Sequence, residues 1–488
     1  NEFGLLPSNH IKVMVEYSSP NTNKPLHFGH LRNIFLGASI ANILDAAGYE
    51  VIKANLINDR GIHICKSMVA WLQFGNGATP QSTGIKGDHL VGDYYVKFND
   101  TYKLEIETLI ASGHSKEEAE KKAPIYLQAQ ELLRKWEAGD EETLSLWKTM
   151  NDWVYEGFDI SYERLGITFD KFYYESKTYL LGKKIIERGL ENGVLFQKED
   201  QSVWIDLTDD SLDQKLLLRG DGTSVYITQD IGTANLKYSD FEMDRSVYVI
   251  GDEQNYHMQV LKLIMQKMGE PGADGIYHLS YGMVELPNGK MKSREGNVVD
   301  ADDMMDEMIA IAKKNTEELG KVDGFSKQEL DDLFITLGLG ALKFYLLRVD
   351  PKKRMIFNPE ESIDFHGFTG PFVQYTHARI CSILRKAGDI KEKHKTEGKL
   401  TDIEKSLLKR LEQYPSIILQ SANEYNPSVI CNYIYHVAKE FNGFLVDHSV
   451  LKAENEHIKN MRLQLCSLTK YVIENGLNLL GTEAPERM

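Results

Sequence analysis

Cysteine is scarce in this chain. There are four in 488 residues, Cys65, Cys381, Cys431 and Cys466, and no two form a C-x-x-C pair. That spacing argues against a zinc ribbon and supplies no disulfide framework, which suits a reducing cytoplasm. Long apolar runs are missing as well, and the opening NEFGLLPSNH lacks the basic-then-apolar layout of a signal peptide. No membrane partner and a cytoplasmic location are expected. Basic charge is in deficit, with 56 Lys and Arg against 72 Asp and Glu for a net charge of −16. This speaks against indiscriminate binding to nucleic acid, but a local basic face remains open. Repeats and low-complexity tracts are absent too. What is left, 42% hydrophobic and 26% charged, is a globular chain long enough for two to four domains.

The richest stretch lies near the start. Residues 11–17, IKVMVEY, alternate and are rich in β-branched side chains, which predicts a strand. SSPNTNKP then reads as a loop. From Leu31 to Ala47 the apolar spacing is helical and nearly all-round, with Gly48 suited to the helix end, and VIKANLI (51–57) is again a strand. This β-loop-α-β unit opens a doubly wound, Rossmann-type parallel sheet. His27, Gly29 and His30 fall at the first turn of its helix. There the free backbone N–H groups and partial positive charge attract phosphate, Gly29 admits a close approach, and the imidazoles can donate hydrogen bonds to phosphoryl oxygens. A second stretch, GKMKSREGN (289–297), is a Gly-bounded basic loop whose lysines suit a triphosphate. Each motif alone has a bland reading, as helix cap or solvated surface. The pair together favours binding and chemistry of a nucleotide's phosphates, which a nucleotidylyl transferase acting on a small molecule would share.

SSPNTNKPLHFGHLRN and GKMKSREGN resemble the two signatures of class I aminoacyl-tRNA synthetases, and their flanks look most like the arginyl-tRNA synthetase family. The likeness continues through LINDRGIHI (56–64), HLVGDYYVKF (89–98), LRGDGTSVYITQDIGTA (218–234), YVIGDEQNYHMQV (248–260) and GPFVQYTHARICSI (370–383), and it reaches NGLNLLGTEAPERM (475–488). The resemblance implies an ATP-dependent ligase. It would join L-arginine to ATP as arginyl-adenylate, release pyrophosphate, and pass arginine to the 3′-terminal ribose of tRNA(Arg), with Mg²⁺ on the nucleotide. No resident metal site is expected, and a monomer is implied.

By the same resemblance His27, Phe28, Gly29, His30, Met291 and Ser293 bind ATP. His27, His30, Lys24, Lys290 and Lys292 form the catalytic set, in which the lysines are the candidates to neutralise the leaving pyrophosphate. Arginine would be held by Glu16, Ser19, Asn21, His30, Tyr226, Asp230 and Gln254, with Asp230 matching the carboxylate that faces the guanidinium and Glu16 a second acid. A planar guanidinium invites that bidentate pairing. The family pattern Lys-Met-Ser-Lys-Ser is altered here: Lys292 comes one place early and Ser293 stands where the second lysine belongs. Lys24, three residues before His27, is the candidate to supply the displaced charge. Asn58-Asp59-Arg60-Gly61 also departs, lacking an aromatic before the glycine.

The implied organisation is a catalytic domain over 1–360 followed by a helical anticodon-binding domain over 361–488. Rossmann halves are expected at about 10–75 and 222–290, an inserted domain at about 76–221, and a signature-loop and stem-contact region at about 289–360. Helical stripes recur in 371–387, 402–420, 428–445 and 458–480, a bundle pattern. The basic run RKAGDIKEKHKTEGK (385–399) is either a phosphate-contacting loop or a flexible linker. The family's usual N-terminal domain, which grips the tRNA elbow, is expected to be absent or not included in this sequence.

Overall fold

Val13 and Val15, fully buried, flank Met14 in a strand, Lys12–Glu16, that packs on both faces and therefore sits mid-sheet. In the computed structural model, which describes residues 3–287, 299–318, 320, 324–388 and 400–488, this strand is the centre of five. The order is Lys171–Tyr174, Glu50–Ile57, Lys12–Glu16, Arg245–Gly251, Ile276–Tyr281, and every pairing is parallel. The chain builds outward from the centre on one side and then crosses to the other. The strand order thus reverses between Lys12–Glu16 and Arg245–Gly251, and a crevice opens beyond their carboxyl ends, where ligands of open α/β sheets bind.

The helix Phe28–Ala46 follows the first strand. It is buried around almost its whole circumference because it lies between the sheet and the helices Lys327–Leu347 and Tyr414–Glu424. The all-round apolar pattern of its sequence reflects that sandwich.

The segment 76–221 does not form one insertion. Helices Gly87–Ala111, Pro124–Glu137 and Glu141–Leu165 pack with Ile62–Phe74, and the chain then returns to the main sheet as the edge strand Lys171–Tyr174. A second excursion carries a three-stranded antiparallel sheet, Leu195–Gln197, Val203–Ile205 and Lys215–Leu218. Its apolar face shares a core with the helices Tyr226–Phe241 and Asn255–Lys267. The edge strand KFYY is too short for its alternation to stand out in sequence.

A charge knot ties the first excursion to the helix Ala301–Glu318. Lys86 Nζ donates to Asp88 (3.1 Å) and Asp302 (2.6 Å), and Arg164 Nη1 donates to Asp302 (3.1 Å). His89 Nε2 lies 3.1 Å from the same carboxylate. These acids are already neutralised from within.

The C-terminal helices are Gly370–Ala387, Asp402–Glu412, Tyr414–Glu424, Ser428–Asp447 and Glu456–Leu479. The stripe read over 402–420 is two helices that meet at Gln413. Pro415, which has no N–H to give, stands in the first turn of the second, where none is needed.

Candidate active site

His27 caps the helix Phe28–Ala46, and its geometry fixes the state of both signature imidazoles. Its Nδ1 accepts from the Gly29 N–H at 3.1 Å, and its own N–H donates to His30 Nδ1 at 3.0 Å. The rings lie 3.8 Å apart, centroid to centroid. Each Nδ1 is therefore an acceptor, so each neutral ring carries its proton on Nε2. Burial and the nearby Lys24 ammonium push His27 down to about 4. Burial, His27 and Lys24 hold His30 well below its ordinary value. Both are neutral donors at physiological pH. A Cβ on Gly29 would stand 3.0 Å from His27 Cε1, so the ring this glycine admits is that of its own neighbour.

The two histidines face different cavities. His27 lines a small one of about 70 Å³ with Lys24, His89, Asp300 and Asp303. His30 lines one of about 330 Å³ at the strand-order reversal, together with Glu16, Ser19, Asp230 and Gln254. Five predicted arginine-binding residues thus share one cavity. Tyr226 and Asn21 stand outside its lining; Tyr226 is 78% exposed, and Asn21 bridges to Asn58 on the surface. Phe28 is buried against Phe357, and its N–H donates to Val299 O. Lys290, Met291, Lys292 and Ser293 lie outside the described residues. The flanks of that stretch are tied to the first signature. Ala301 N–H donates to Leu26 O, while Arg32, fully buried, donates to the carbonyls of Gly282, Met283 and Lys353.

The turn after the first strand is strained. Ser18 and Ser19 adopt φ of 74° and 44°, a left-handed backbone that costs non-glycine residues about 1 kcal/mol or more each. Asparagines hold it: Ser18 N–H donates to Asn33 Oδ1 (2.6 Å), and Ser19 N–H donates to Asn55 Oδ1 (3.1 Å). Asn33 Nδ2 reaches Val249 O (2.7 Å) and so pins both strand ends that bound the crevice.

Two basic side chains inside the cavity carry no signal in the sequence. Lys237, 2% exposed, forms an ion pair with Glu16, 6% exposed, and lies 4.8 Å from the Tyr248 ring centroid. Burial alone would lower the Lys237 pKa; Glu16 and Tyr248 outweigh it and raise it. His257 Nε2 lies 2.7 Å from Asp230 Oδ2, and that hydrogen bond raises His257 against the opposing effect of burial. Asp230 and Lys237 sit seven residues apart on one helix, a two-turn spacing that could have suggested a shared face. His257, three residues after Gln254, gave no signal of its own.

The Asp59 carboxylate in the divergent stretch is buried and accepts from Ser176 and Tyr155. Arg60 takes the place expected for an aromatic and lies 3.9 Å from the ring centroid of Tyr179. A further cleft of about 730 Å³ lies at the head of the helix Gly370–Ala387, lined by Phe365, His366, Phe372, Tyr375, Arg379, Asn442 and Met488 among others.

Residues 4–358 match the family described as tRNA synthetases class I (R), catalytic domain, and residues 373–488 match the DALR anticodon binding domain. The chain is 54% identical over 493 residues to an arginine–tRNA ligase of Bacteroides thetaiotaomicron, covering 100% of this chain and 83% of that protein. It is 55% identical over 491 residues to one of Flavobacterium psychrophilum, covering 100% and 81%. The arginyl-tRNA synthetase of Thermus thermophilus superposes with a TM-score of 0.85 at 25% identity, covering 99% of this chain and 84% of that one. With both domain families matched and full-length relatives above half identity, the chain belongs to the class I arginyl-tRNA synthetases.

Proposed function

We infer that the chain is an arginine–tRNA ligase. It activates L-arginine with ATP to arginyl-adenylate and pyrophosphate, and passes the arginyl group to the 3′-terminal ribose of tRNA(Arg). The observation that carries the pocket assignment is the 330 Å³ cavity at the strand-order reversal, where two carboxylates, Glu16 and Asp230, share a wall with His30. A cationic side chain fits acids, and an α-carboxylate aimed toward His30 would sit beside the nucleotide.

The carboxylate oxygen attacks the α-phosphorus, the bond to the bridging oxygen breaks, and pyrophosphate leaves with that electron pair. The protein's work is positioning and charge stabilisation. His27 and His30 donate through Nε2 to phosphoryl oxygens. Because both are neutral, they add hydrogen bonds without demanding a proton. Mg²⁺ enters as the counter-ion of the ATP substrate. Lys24, Lys290 and Lys292 are the proposed partners of the departing charge. Ser19 and Gln254 hold the amino-acid end, with Tyr226 and Asn21 at the margin of the site.

The 730 Å³ cleft is the proposed seat of an unstacked anticodon base. Phe372 and Tyr375 offer aromatic faces, while Arg379 and Asn442 offer hydrogen bonds. Its walls Tyr375, Arg379, Asn442 and Met488 fall within the DALR match. The four cysteines are all free and buried, which supports action in the reducing cytoplasm.

The test is tRNA charging with each amino acid, together with ATP–pyrophosphate exchange with and without tRNA. Arginine alone should be charged, and its exchange should require tRNA. Charging of another amino acid, or none of arginine, would overturn the assignment.

A further inference from the structure

The strained turn at Ser18 and Ser19 rests on a chain of hydrogen bonds whose direction follows from its chemistry. Asn55, fully buried on the strand Glu50–Ile57, accepts the Ser19 N–H through Oδ1 at 3.1 Å. A backbone N–H only donates, so the other end of the amide is Nδ2, and it donates to the Tyr162 phenol oxygen at 3.1 Å. Tyr162 comes from the helix Glu141–Leu165 and lies against the rings of Phe158 and Phe169. Its hydroxyl is 2.7 Å from Ser18 Oγ, its one acceptor among the described residues.

Either oxygen of that last pair could supply the proton, but one arrangement alone leaves nothing stranded. If Ser18 donated to Tyr162, the phenol proton would be buried without an acceptor, which folded proteins avoid. With Tyr162 as donor, the Ser18 oxygen is spent as an acceptor and its own proton is left over. Ser18 is 3% exposed and lines the cavity of Glu16, His30 and Asp230, where substrate or water can take that proton. Its N–H is anchored on Asn33, one turn beyond His30, which sets Ser18 on the signature-helix side of the cavity.

We propose that Ser18 is a substrate-binding residue, its hydroxyl proton aimed into the cavity by the Asn55–Tyr162 chain and given to the α-carboxylate of arginine. This rests on the reading that the cavity receives arginine with its carboxylate toward His30. An α-ammonium is no partner for a proton donor, because it has no lone pair, whereas a carboxylate only accepts. Asn55 and Tyr162 act through Ser18 and are positioning residues. The carboxylate carries its full charge before attack and loses it as the bond to phosphorus forms, so the Ser18 bond is strongest in the bound ground state. Its loss is therefore read in arginine KM, with kcat held or raised.

The experiment uses the full chain with its tRNA and follows pyrophosphate exchange. Agmatine, the arginine analogue that lacks the carboxylate, serves as competing probe. Ser18→Ala should raise arginine KM by about ten- to a hundredfold, as the loss of a hydrogen bond to a charged group does. Inhibition by agmatine should stay within about twofold of the parent. A turn that had merely collapsed would weaken both ligands alike. Ser18→Gly suits the φ of 74° and also lacks the hydroxyl, so it repeats the test in a turn relieved of strain. Tyr162→Phe removes the aim but keeps the Ser18 hydroxyl. It should raise arginine KM by about two- to tenfold, again sparing agmatine, and should add nothing on top of Ser18→Ala. The proposal is overturned by an unchanged arginine KM in the Ser18 variants, by arginine and agmatine weakening together, or by a double variant in which the two losses add. Asp230→Asn separates the two layers, since both ligands carry the guanidinium. If it leaves arginine and agmatine binding normal, the pocket reading itself falls and this proposal with it. If it weakens both while the Ser18 variants bind arginine like the parent, only the proposal falls.

Discussion

Replacing Lys237 by methionine tests the electrostatics of the cavity directly. The lysine and Glu16 are 2% and 6% exposed, and the lysine Nζ lies 4.8 Å from the Tyr248 ring centroid and 5.9 Å from that of Tyr173. Methionine preserves the apolar stem and removes the charge, so the main loss is the partner of a buried carboxylate. Removing one member of such a pair costs about 3–5 kcal/mol. Unfolding entropy near 2.1 cal/mol/K per residue, taken over a cooperative unit of about 350 residues, converts that cost to a drop of roughly 4–7 °C in Tm. The double variant Glu16→Gln/Lys237→Met removes both charges and should recover most of the loss, to within about 1–2 kcal/mol. Differential scanning calorimetry on the four proteins of the cycle gives the answer. A Lys237→Met Tm within about 1 °C of the parent, or a double variant no better than the single one, would refute the idea that this pair is a tightly coupled buried unit.

Other consequences follow from the same geometry. His27 is neutral in the fold down to about 4 but has an ordinary pKa of 6.5 when unfolded. The unfolded chain therefore binds more protons between those values, and stability declines as pH falls through that window, by about 1.4 kcal/mol per pH unit. His30, also held neutral by burial, adds to the same slope, so His27→Gln should remove about 1.4 kcal/mol per pH unit of it, and parallel curves would contradict the assignment of a neutral His27. His30→Ala should lower kcat for adenylate formation on the order of 10²-fold with arginine KM moving much less; an effect on KM alone would place the imidazole at the wrong substrate. Tyr375→Ala should reduce kcat/KM for tRNA by roughly ten- to a hundredfold, as the loss of one base stack does, with KM for ATP unchanged. Arg32→Met should destabilise the enzyme by about 3 kcal/mol or more, because buried carbonyls of residues 282, 283 and 353 lose their donor; a neutral result in a denaturant titration would remove Arg32 from the structural account.

Much of this was legible in the sequence, for physical reasons that differ from element to element. The first strand, Lys12–Glu16, and the helix Phe28–Ala46 announce themselves because complete burial forces nearly continuous apolar residues. The histidines could be placed at a helix mouth because Pro25 and the polar loop before them mark where the helix starts. Strand Lys171–Tyr174 escaped notice because four edge residues carry no usable period, so two separate excursions looked like one insertion. The break at Gln413 was hidden because Pro415 interrupts the backbone but not the apolar stripe. Glu16, Ser19, His30, Asp230 and Gln254 were named by resemblance, and they do line one cavity. Their internal partners were not named, since Lys237 and His257 acquire their meaning only from tertiary proximity to acids 221 and 27 residues away in the chain.

The most direct test of the account is a crystal structure of the enzyme with arginine and a non-hydrolysable ATP mimic. The account predicts the guanidinium carbon within about 4 Å of the Asp230 carboxylate, the α-carboxylate beside His30, and phosphate oxygens within hydrogen-bond reach of the imidazole Nε2 atoms. Arginine seated away from the cavity of Glu16 and Asp230, or a nucleotide seated away from His27 and His30, would contradict it.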